Sequence, residues 1–370
     1  MHQAPLPQEY QGLSEAALRE RILAAKESLG DRLVILGHHY QRDEIIEHAD
    51  YRGDSYKLAK DAASHPEAEF IVFCGVHFMA ESADILSGAR QKVILPNLAA
   101  GCSMADMANI FQVRACWRQL GELGIESVMP VTYINSAAAL KAFVGERGGL
   151  VCTSTNAPAA VSWALSRAEK VLFFPDQHLG RNTGVRLGYS PEQMVVWDPF
   201  KPLGGNTAEA LAEARFILWR GHCSVHQRFT VDQIRRARAE HPGVKVLVHP
   251  ECPLEVVQES DLNGSTEYII RQVQGAPPGS VWAVGTEINL VSRLAREHPD
   301  QTIFCLDPQI CPCSTMYRIH PSFLCWALER LAAGAIVNHV QVPDKTAQFA
   351  RMALDRMLAL DSSSNESSLD

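Results

Sequence analysis

Long apolar runs are missing from this chain. No stretch approaches the about eighteen consecutive apolar residues that a membrane-spanning helix needs, so no membrane association is expected. The first twenty residues, MHQAPLPQEYQGLSEAALRE, show no basic segment followed by an apolar one. A signal peptide is therefore not expected, and the reading is a cytoplasmic protein. An excess of positive charge is missing too: 34 Lys and Arg face 42 Asp and Glu, for a net charge of −8. That balance argues against general nucleic-acid binding while leaving room for a local basic pocket around an anionic substrate. The paired C-x2-C spacing of a structural zinc site is also absent, although ten cysteines are present.

With 370 residues, 46% of them hydrophobic, the chain is long enough for two or three domains with sizeable cores. In a reducing compartment its cysteines are expected as buried thiols, metal ligands or nucleophiles rather than disulfides. Cys74, Cys152 and Cys305 sit in or at the ends of apolar runs and are expected to be buried. Residues 1–12 read as a flexible lead-in. A helix capped by Ser14 and ended by Gly30 follows, and the Ser-rich tail 361–370 reads as disordered.

Between these ends, short apolar runs alternate with helical patterns, the signature of βαβ units and an α/β fold with parallel sheets. Three segments look like counterparts: AEFIVFCGVHFMAESADIL, GGLVCTSTNAPAAVSWALS and VKVLVHPECPLEVVQES. Each third also has an earlier strand with a polar end: RLVILGHHY, SVMPVTYIN and RFILWRGHCSVH. We read an internal triplication of a small αβα sandwich, against the alternative of one long doubly wound sheet. The expected domains are 13–108 with 318–360, 109–218 and 219–317. In open parallel sheets ligands bind beyond the carboxyl ends of the strands. Three such units around a pseudo-threefold axis would aim their strand-end loops at a central junction.

Those loops carry His38, His39, Tyr40, Ser55 and Cys102 in the first third, and Tyr133, Asn135, Ser154 and Asn156 in the second. The last third carries Cys223, His226, His249, Glu251, Ser265, Thr266, Glu287 and the stretch CPCSTM at 311–316. Cysteines on three separate loops admit four readings. They are a zinc site, a Cys223–His226 nucleophile pair, independent thiols, or a three-cysteine iron–sulfur cluster with one open iron. Spacing alone does not choose between them.

The ordered segments LGHHYQRDEI, RGDSYKLAKDA, CGVHFMAESADIL, LPNLAAGCSMAD, VTYINS, CTSTNA, FFPDQHLGRN, WRGHCSVHQRFT, VHPECP, GSTEYII and VGTEINL resemble the quinolinate synthase family over about residues 30 to 325. The resemblance implies three αβα domains about a pseudo-threefold axis. It also implies condensation of iminoaspartate with dihydroxyacetone phosphate to quinolinate, phosphate and two waters, a step of de novo NAD biosynthesis. A 4Fe–4S cluster on three cysteines is implied, carried over to Cys102, Cys223 and one cysteine of CPCSTM. Cys311 precedes a proline, as the family pattern has it, whereas Cys313 keeps the three-residue distance to Met316. The distance to the following helix fixes where the thiolate points, so Cys313 is the expected third ligand.

By the same resemblance Glu251 deprotonates the nascent ring precursor, and Tyr40 with His38 serves the carbonyl and hydroxyl steps. His226 completes the acid/base set, and His39 is a structural neighbour. His38, Ser55, Tyr133, Asn135, Ser154, His249, Glu251, Ser265 and Thr266 are implied to line the substrate pocket, the Ser and Thr residues being equally suited to capping helices. The loop that closes over a labile intermediate is expected in the unit carrying Tyr133. An aspartate oxidase or dehydrogenase is implied as supplier of iminoaspartate. Two other classes compete: a metal-binding or redox-sensing protein without turnover, and a zinc hydrolase built on His249-Pro250-Glu251.

Overall fold

Strands whose every residue is buried recur along the chain: Leu33–His38, Phe70–Cys74 and Lys170–Phe174 expose neither face. Near-continuous apolar runs of that kind belong in parallel sheets covered on both sides by helices. The computed structural model describes residues 3–309 and 312–366, without the side chains of residues 56, 59, 62, 63 and 361–366. Cys311 therefore lies outside the described residues.

The first region runs α1 (Glu15–Leu29), β1 (Leu33–His38), α2 (Asp43–Ile46), β2 (Tyr51–Gly53), α3 (Ser55–Ala63), β3 (Phe70–Cys74), α4 (His77–Leu86) and β4 (Lys92–Ile94). The second runs α5 (Ile110–Glu122), β5 (Val128–Tyr133), α6 (Ala138–Glu146), β6 (Leu150–Cys152), α7 (Ala157–Leu165), β7 (Lys170–Phe174), α8 (Gln177–Arg186), β8 (Met194–Trp197), α9 (Ala208–Glu213) and β9 (Phe216–Trp219). The third runs α10 (Val231–Glu240), β10 (Lys245–Val248), α11 (Leu254–Glu259), β11 (Leu262–Asn263), α12 (Thr266–Gln274), β12 (Val281–Gly285), α13 (Ile288–Glu297) and β13 (Thr302–Cys305). The chain ends with α14 (Pro321–Ala332), β14 (His339–Val340) and α15 (Asp344–Glu366). As expected, the Ser14 hydroxyl caps α1 by accepting from the Ala17 N–H at 3.2 Å, and Gly30 ends it with φ of +52°.

Among the described residues three sheets result, with orders β14-β4-β3-β1-β2, β6-β5-β7-β9-β8 and β11-β10-β12-β13. Leaving aside the appended β14 and β8, all three share one four-strand order: β4-β3-β1-β2, β9-β7-β5-β6 and β13-β12-β10-β11. Every pairing except that of the antiparallel β14 is parallel. A thrice-used α/β arrangement is therefore present, but its register differs from the one read off the sequence. The three expected counterparts hold β3, β6 and β10, which are the third, second and first strands of their sheets. β9 was expected to open the last unit, yet it completes the second sheet, pairing with β7 and β8. Hydropathy could not separate these cases, because all these segments are buried strands followed by a polar loop and a helix.

The chain divides into two compact units. One comprises Met1–Cys102, Glu287–Pro299 and Gln309–Val342 and holds the first sheet. The other comprises Ser103–Thr286, Asp300–Pro308 and Pro343–Asp370 and holds the second and third sheets. These boundaries differ from the expected ones. Within the second unit α15 packs on α6 and β6. Gly145 in α6 permits this approach, since a Cβ there would collide with the Phe349 carbonyl. α15 also runs on to Glu366 through part of the tail expected to be disordered, as helix propagation costs little once a packed segment has nucleated. The rest of that tail, 367–370, lies outside the described residues. Among the described residues no helix is long and apolar enough to cross a membrane.

Candidate active site

Strand register puts the predicted site residues at equivalent places. Gly37, Thr132 and Val248 face Cys74, Phe174 and Gly285 across the central strand pairs of the three sheets. One residue on, His38, Tyr133 and His249 therefore correspond, and two further on so do Tyr40, Asn135 and Glu251. On the other flank Gly37, Thr132 and Val248 face Arg52, Val151 and Asn263. Ser55, Ser154 and Thr266 correspond there, three residues beyond those partners. Thus eight of the substrate-pocket residues expected from resemblance fall on three recurring strand-end positions, with Ser265 next to one of them.

In the second compact unit four of these side chains meet. Glu251 is 3% exposed; its Oε1 accepts from the Tyr133 hydroxyl at 2.5 Å and its Oε2 from His226 Nδ1 at 2.8 Å. A carboxylate only accepts, so Nδ1 of His226 carries a proton, and its Nε2 lies in hydrogen-bond contact with the Thr286 hydroxyl at 3.1 Å. His249 stacks on His226 with ring centroids 4.4 Å apart. Its Nδ1 accepts the Glu251 N–H at 3.3 Å. Burial and then the neighbouring His226 push His249 down to about 3, so it is neutral. Burial alone would raise Glu251, but the neighbouring His226 and the Tyr133 donor outweigh it and hold the carboxyl at about 2. Nearby Asp176 goes the other way. Complete burial, then the Glu251 charge, raise it well above the usual carboxylate range. Two carboxyls driven apart in this way are the arrangement expected of acid/base chemistry.

The other residues of this unit expected in the substrate pocket stand at its strand ends. Asn135 has a buried Oδ1 with no partner among the described residues. Ser154 lies in the turn before α7, where Asn156 Oδ1 accepts the Thr153 N–H at 2.8 Å. Ser265 is the N-cap of α12, accepting from the Tyr268 N–H at 3.4 Å, and Thr266 is buried beside it. Asp176 and Thr286 were not singled out from the sequence, because neither is marked by spacing or composition.

In the first unit β1 delivers His38, 3% exposed, whose Nδ1 accepts the Tyr40 N–H at 3.1 Å. The Tyr40 ring stands edge-on to His38 at 4.8 Å. His39 donates its N–H to the Gly53 carbonyl at 3.1 Å. Ser55 is the first residue of α3. Glu287 caps α13, and its Oε1 accepts the Cys313 N–H at 3.2 Å. Burial raises this carboxyl to about 7 against several backbone donors.

The described cysteines fall into two classes. Cys74, Cys116, Cys152, Cys252 and Cys325 are buried, and burial drives their thiols upward. Cys102, Cys223, Cys305 and Cys313 are partly exposed, which corrects the expectation of a buried Cys305. Cys305 sits at the end of β13, where its Sγ reaches the Thr286 carbonyl at 3.9 Å. The other three share a local frame. Each stands three residues ahead of a 3-10 turn (Ala105–Met107, His226–Arg228, Met316–Arg318) and eight ahead of a helix (α5, α10, α14). Donor atoms of Cys223, His226 and Glu251 also lie within 4.8 Å of one another, a mixed S, N, O set that one divalent ion could use.

A family model described as Quinolinate synthetase A protein matches residues 20–359. The chain belongs to the quinolinate synthase family. The quinolinate synthase of Corynebacterium glutamicum is 60% identical over 359 residues, 97% of this chain and 91% of that protein. Those of Streptomyces coelicolor and Geobacillus kaustophilus are 59% and 55% identical, covering 94% and 96% of this chain and 89% and 96% of theirs.

Proposed function

We propose that this protein condenses iminoaspartate with dihydroxyacetone phosphate to form quinolinate, phosphate and two waters. Its 4Fe–4S cluster would be held by Cys102, Cys223 and Cys313. The observation that carries this reading is the common frame of those three cysteines, each partly exposed and each three residues before a 3-10 turn. Cys313 keeps that spacing, while a ligand at 311 would break it. Three accessible thiols on three loops suit a cluster that leaves one iron without a protein ligand. When bound, such a cluster supplies a Lewis acid for the loss of water.

The chain's own groups provide the rest. Ser55, Ser154 and Thr266, at equivalent strand ends, offer hydroxyls and nearby N–H groups to the phosphate and carboxylates of the substrates. Asn135 offers an unpaired buried amide oxygen to a substrate donor. Ionised at neutral pH, Glu251 takes a proton from the ring precursor. Tyr133 and His226 hold the two oxygens of Glu251 in place. Neutral His249 stacks against His226 and fixes that ring from one side. Tyr40, oriented through His38, handles proton movement at the carbonyl and hydroxyl groups. Iminoaspartate would come from an aspartate oxidase or dehydrogenase, and the protein would work in the cytoplasm.

Anaerobic purification followed by iron and sulfide analysis and a quinolinate assay tests the whole reading. A fully clustered protein that forms no quinolinate would end it. The clustered donors of Cys223, His226 and Glu251 favour a second reading, a zinc hydrolase. A colourless preparation with stoichiometric zinc and no sulfide would decide for that alternative.

A further inference from the structure

Two buried side chains without a task in this chemistry occupy the same place in two repeats. α8 and α13 each follow the third strand of their sheet and are capped by an acidic residue, Asp176 and Glu287. Their sixth residues are Asn182 and Arg293. Asn182, 7% exposed, donates through Nδ2 to the carbonyls of Pro250 and Cys252, at 2.8 Å each. Its Oδ1 has no partner among the described residues, so the amide serves these two carbonyls alone. Arg293, 6% exposed, donates to the carbonyls of His39 at 2.9 Å and Gln41 at 2.6 Å, while its Nε is anchored on Asp43 Oδ1 at 2.7 Å. Asn289, on the same helix, adds a bond to the Tyr40 carbonyl at 3.2 Å.

The strand register makes His39 the equivalent of Pro250, and Gln41 the equivalent of Cys252. Both helices therefore grip the same pair of carbonyls, those on either side of Tyr40 and of Glu251. Neither grips the loop of its own sheet. Chemically dissimilar residues, an amide and a guanidinium, meet one geometric demand at one repeat position. Simple satisfaction of buried carbonyls would not require the same pair to be chosen twice. Holding both carbonyls restrains the segment between them, and with it the direction in which the middle side chain leaves the backbone.

We propose that Asn182 and Arg293 are positioning residues that aim Glu251 and Tyr40. The inference rests on the roles given above to those two side chains. Arg293→Lys keeps the charge and the reach to Asp43 but loses the planar fork that spans two carbonyls. Asn182→Asp keeps the shape and replaces the donor with an acceptor, and Asn182→Ala serves should the aspartate prevent folding.

In cluster-loaded full-length protein, each variant is expected to lower kcat by about 10- to 100-fold, with KM for dihydroxyacetone phosphate within about threefold of wild type. Iron content and the global unfolding midpoint should match wild type for Arg293→Lys. Amide exchange should accelerate at 39–41 in the Arg293 variant and at Glu251 and Cys252 in the Asn182 variants. Unchanged kcat, or a loss of kcat that only follows a loss of global stability with exchange raised throughout the unit, overturns the proposal. Should loaded wild-type protein form no quinolinate, the proposed reaction fails, and exchange confined to these loops still decides the clamp.

Discussion

Replacing Tyr133 by Phe and Glu251 by Gln, singly and together, measures the hydrogen bond at the centre of the site. Tyr133 is 5% exposed and Glu251 3%, so neither group has water as an alternative partner. Their 2.5 Å contact joins a hydroxyl donor to an ionised acceptor. Buried bonds of that type contribute about 1.5–3 kcal/mol. Phenylalanine fills the same volume less one oxygen, so no cavity term is added. Tyr133→Phe should therefore lower unfolding free energy by about 2 kcal/mol, and the double-mutant cycle should return a coupling of about 1.5 kcal/mol or more. Urea unfolding followed by tryptophan fluorescence reads both quantities, since Trp197 and Trp219 are buried in the same unit. In the quinolinate assay Glu251→Gln should lose about 10²- to 10⁴-fold in kcat, the usual contribution of a positioned proton acceptor. Tyr133→Phe should lose about tenfold, because His226 still holds the other oxygen. A coupling below about 0.5 kcal/mol would refute the claim that this bond holds the carboxylate.

Gly145→Ala should force α15 away from α6, since the new methyl group meets the Phe349 carbonyl; a cost of about 1–3 kcal/mol in urea unfolding is expected, and an unchanged midpoint would contradict the packing. Asp84 bears on pH dependence. Burial raises its carboxyl, with the Val342 N–H donating to Oδ2 at 2.8 Å against that trend. A folded pKa above the unfolded one means stability is full at low pH and declines as pH rises through the folded value. Asp84→Asn keeps an acceptor for Val342 and removes that decline, so the variant should equal wild type in acid and exceed it at neutral pH. A variant less stable than wild type at neutral pH would refute this. Cys313→Ser should abolish iron binding after anaerobic reconstitution, while Cys311→Ser should leave iron content near wild type; the reverse result would reassign the third ligand.

Much of the candidate site was legible because strand ends in parallel α/β proteins announce themselves: a buried apolar run that stops at His38, Tyr133 or His249 marks both the strand and the end where ligands are expected. What stayed hidden was the pairing. β3, β6 and β10 look alike in hydropathy, each a buried run followed by a polar loop and a helix, so only the ladder could show that they hold different places in the repeat. Asn182 and Arg293 were invisible for a related reason. Their partners are backbone carbonyls far along the chain, which carry no sequence signal, and the two residues share neither charge nor shape.

That division explains why motif spacing alone could not choose among zinc, nucleophile, free thiol and cluster. The repeat fixes where a side chain stands, and each copy then changes what stands there: His38, Tyr133 and His249 at one position, Tyr40, Asn135 and Glu251 at the next. A phenol, an amide and a carboxylate at equivalent backbone sites are three different chemistries delivered by one piece of geometry. Threefold repetition therefore does not produce three copies of a catalytic group. It offers three attachment points, and the carboxylate at 251 is distinguished by what surrounds it: Tyr133 from a different sheet, His226 from the loop after β9, and His249 beneath that ring. Transplanting glutamate to the equivalent 135 position would keep the backbone place and lose those neighbours. Asn135→Glu combined with Glu251→Gln should accordingly fail to restore quinolinate formation, and recovery of activity in that double variant would show that position alone, without the His226 and Tyr133 donors, is sufficient.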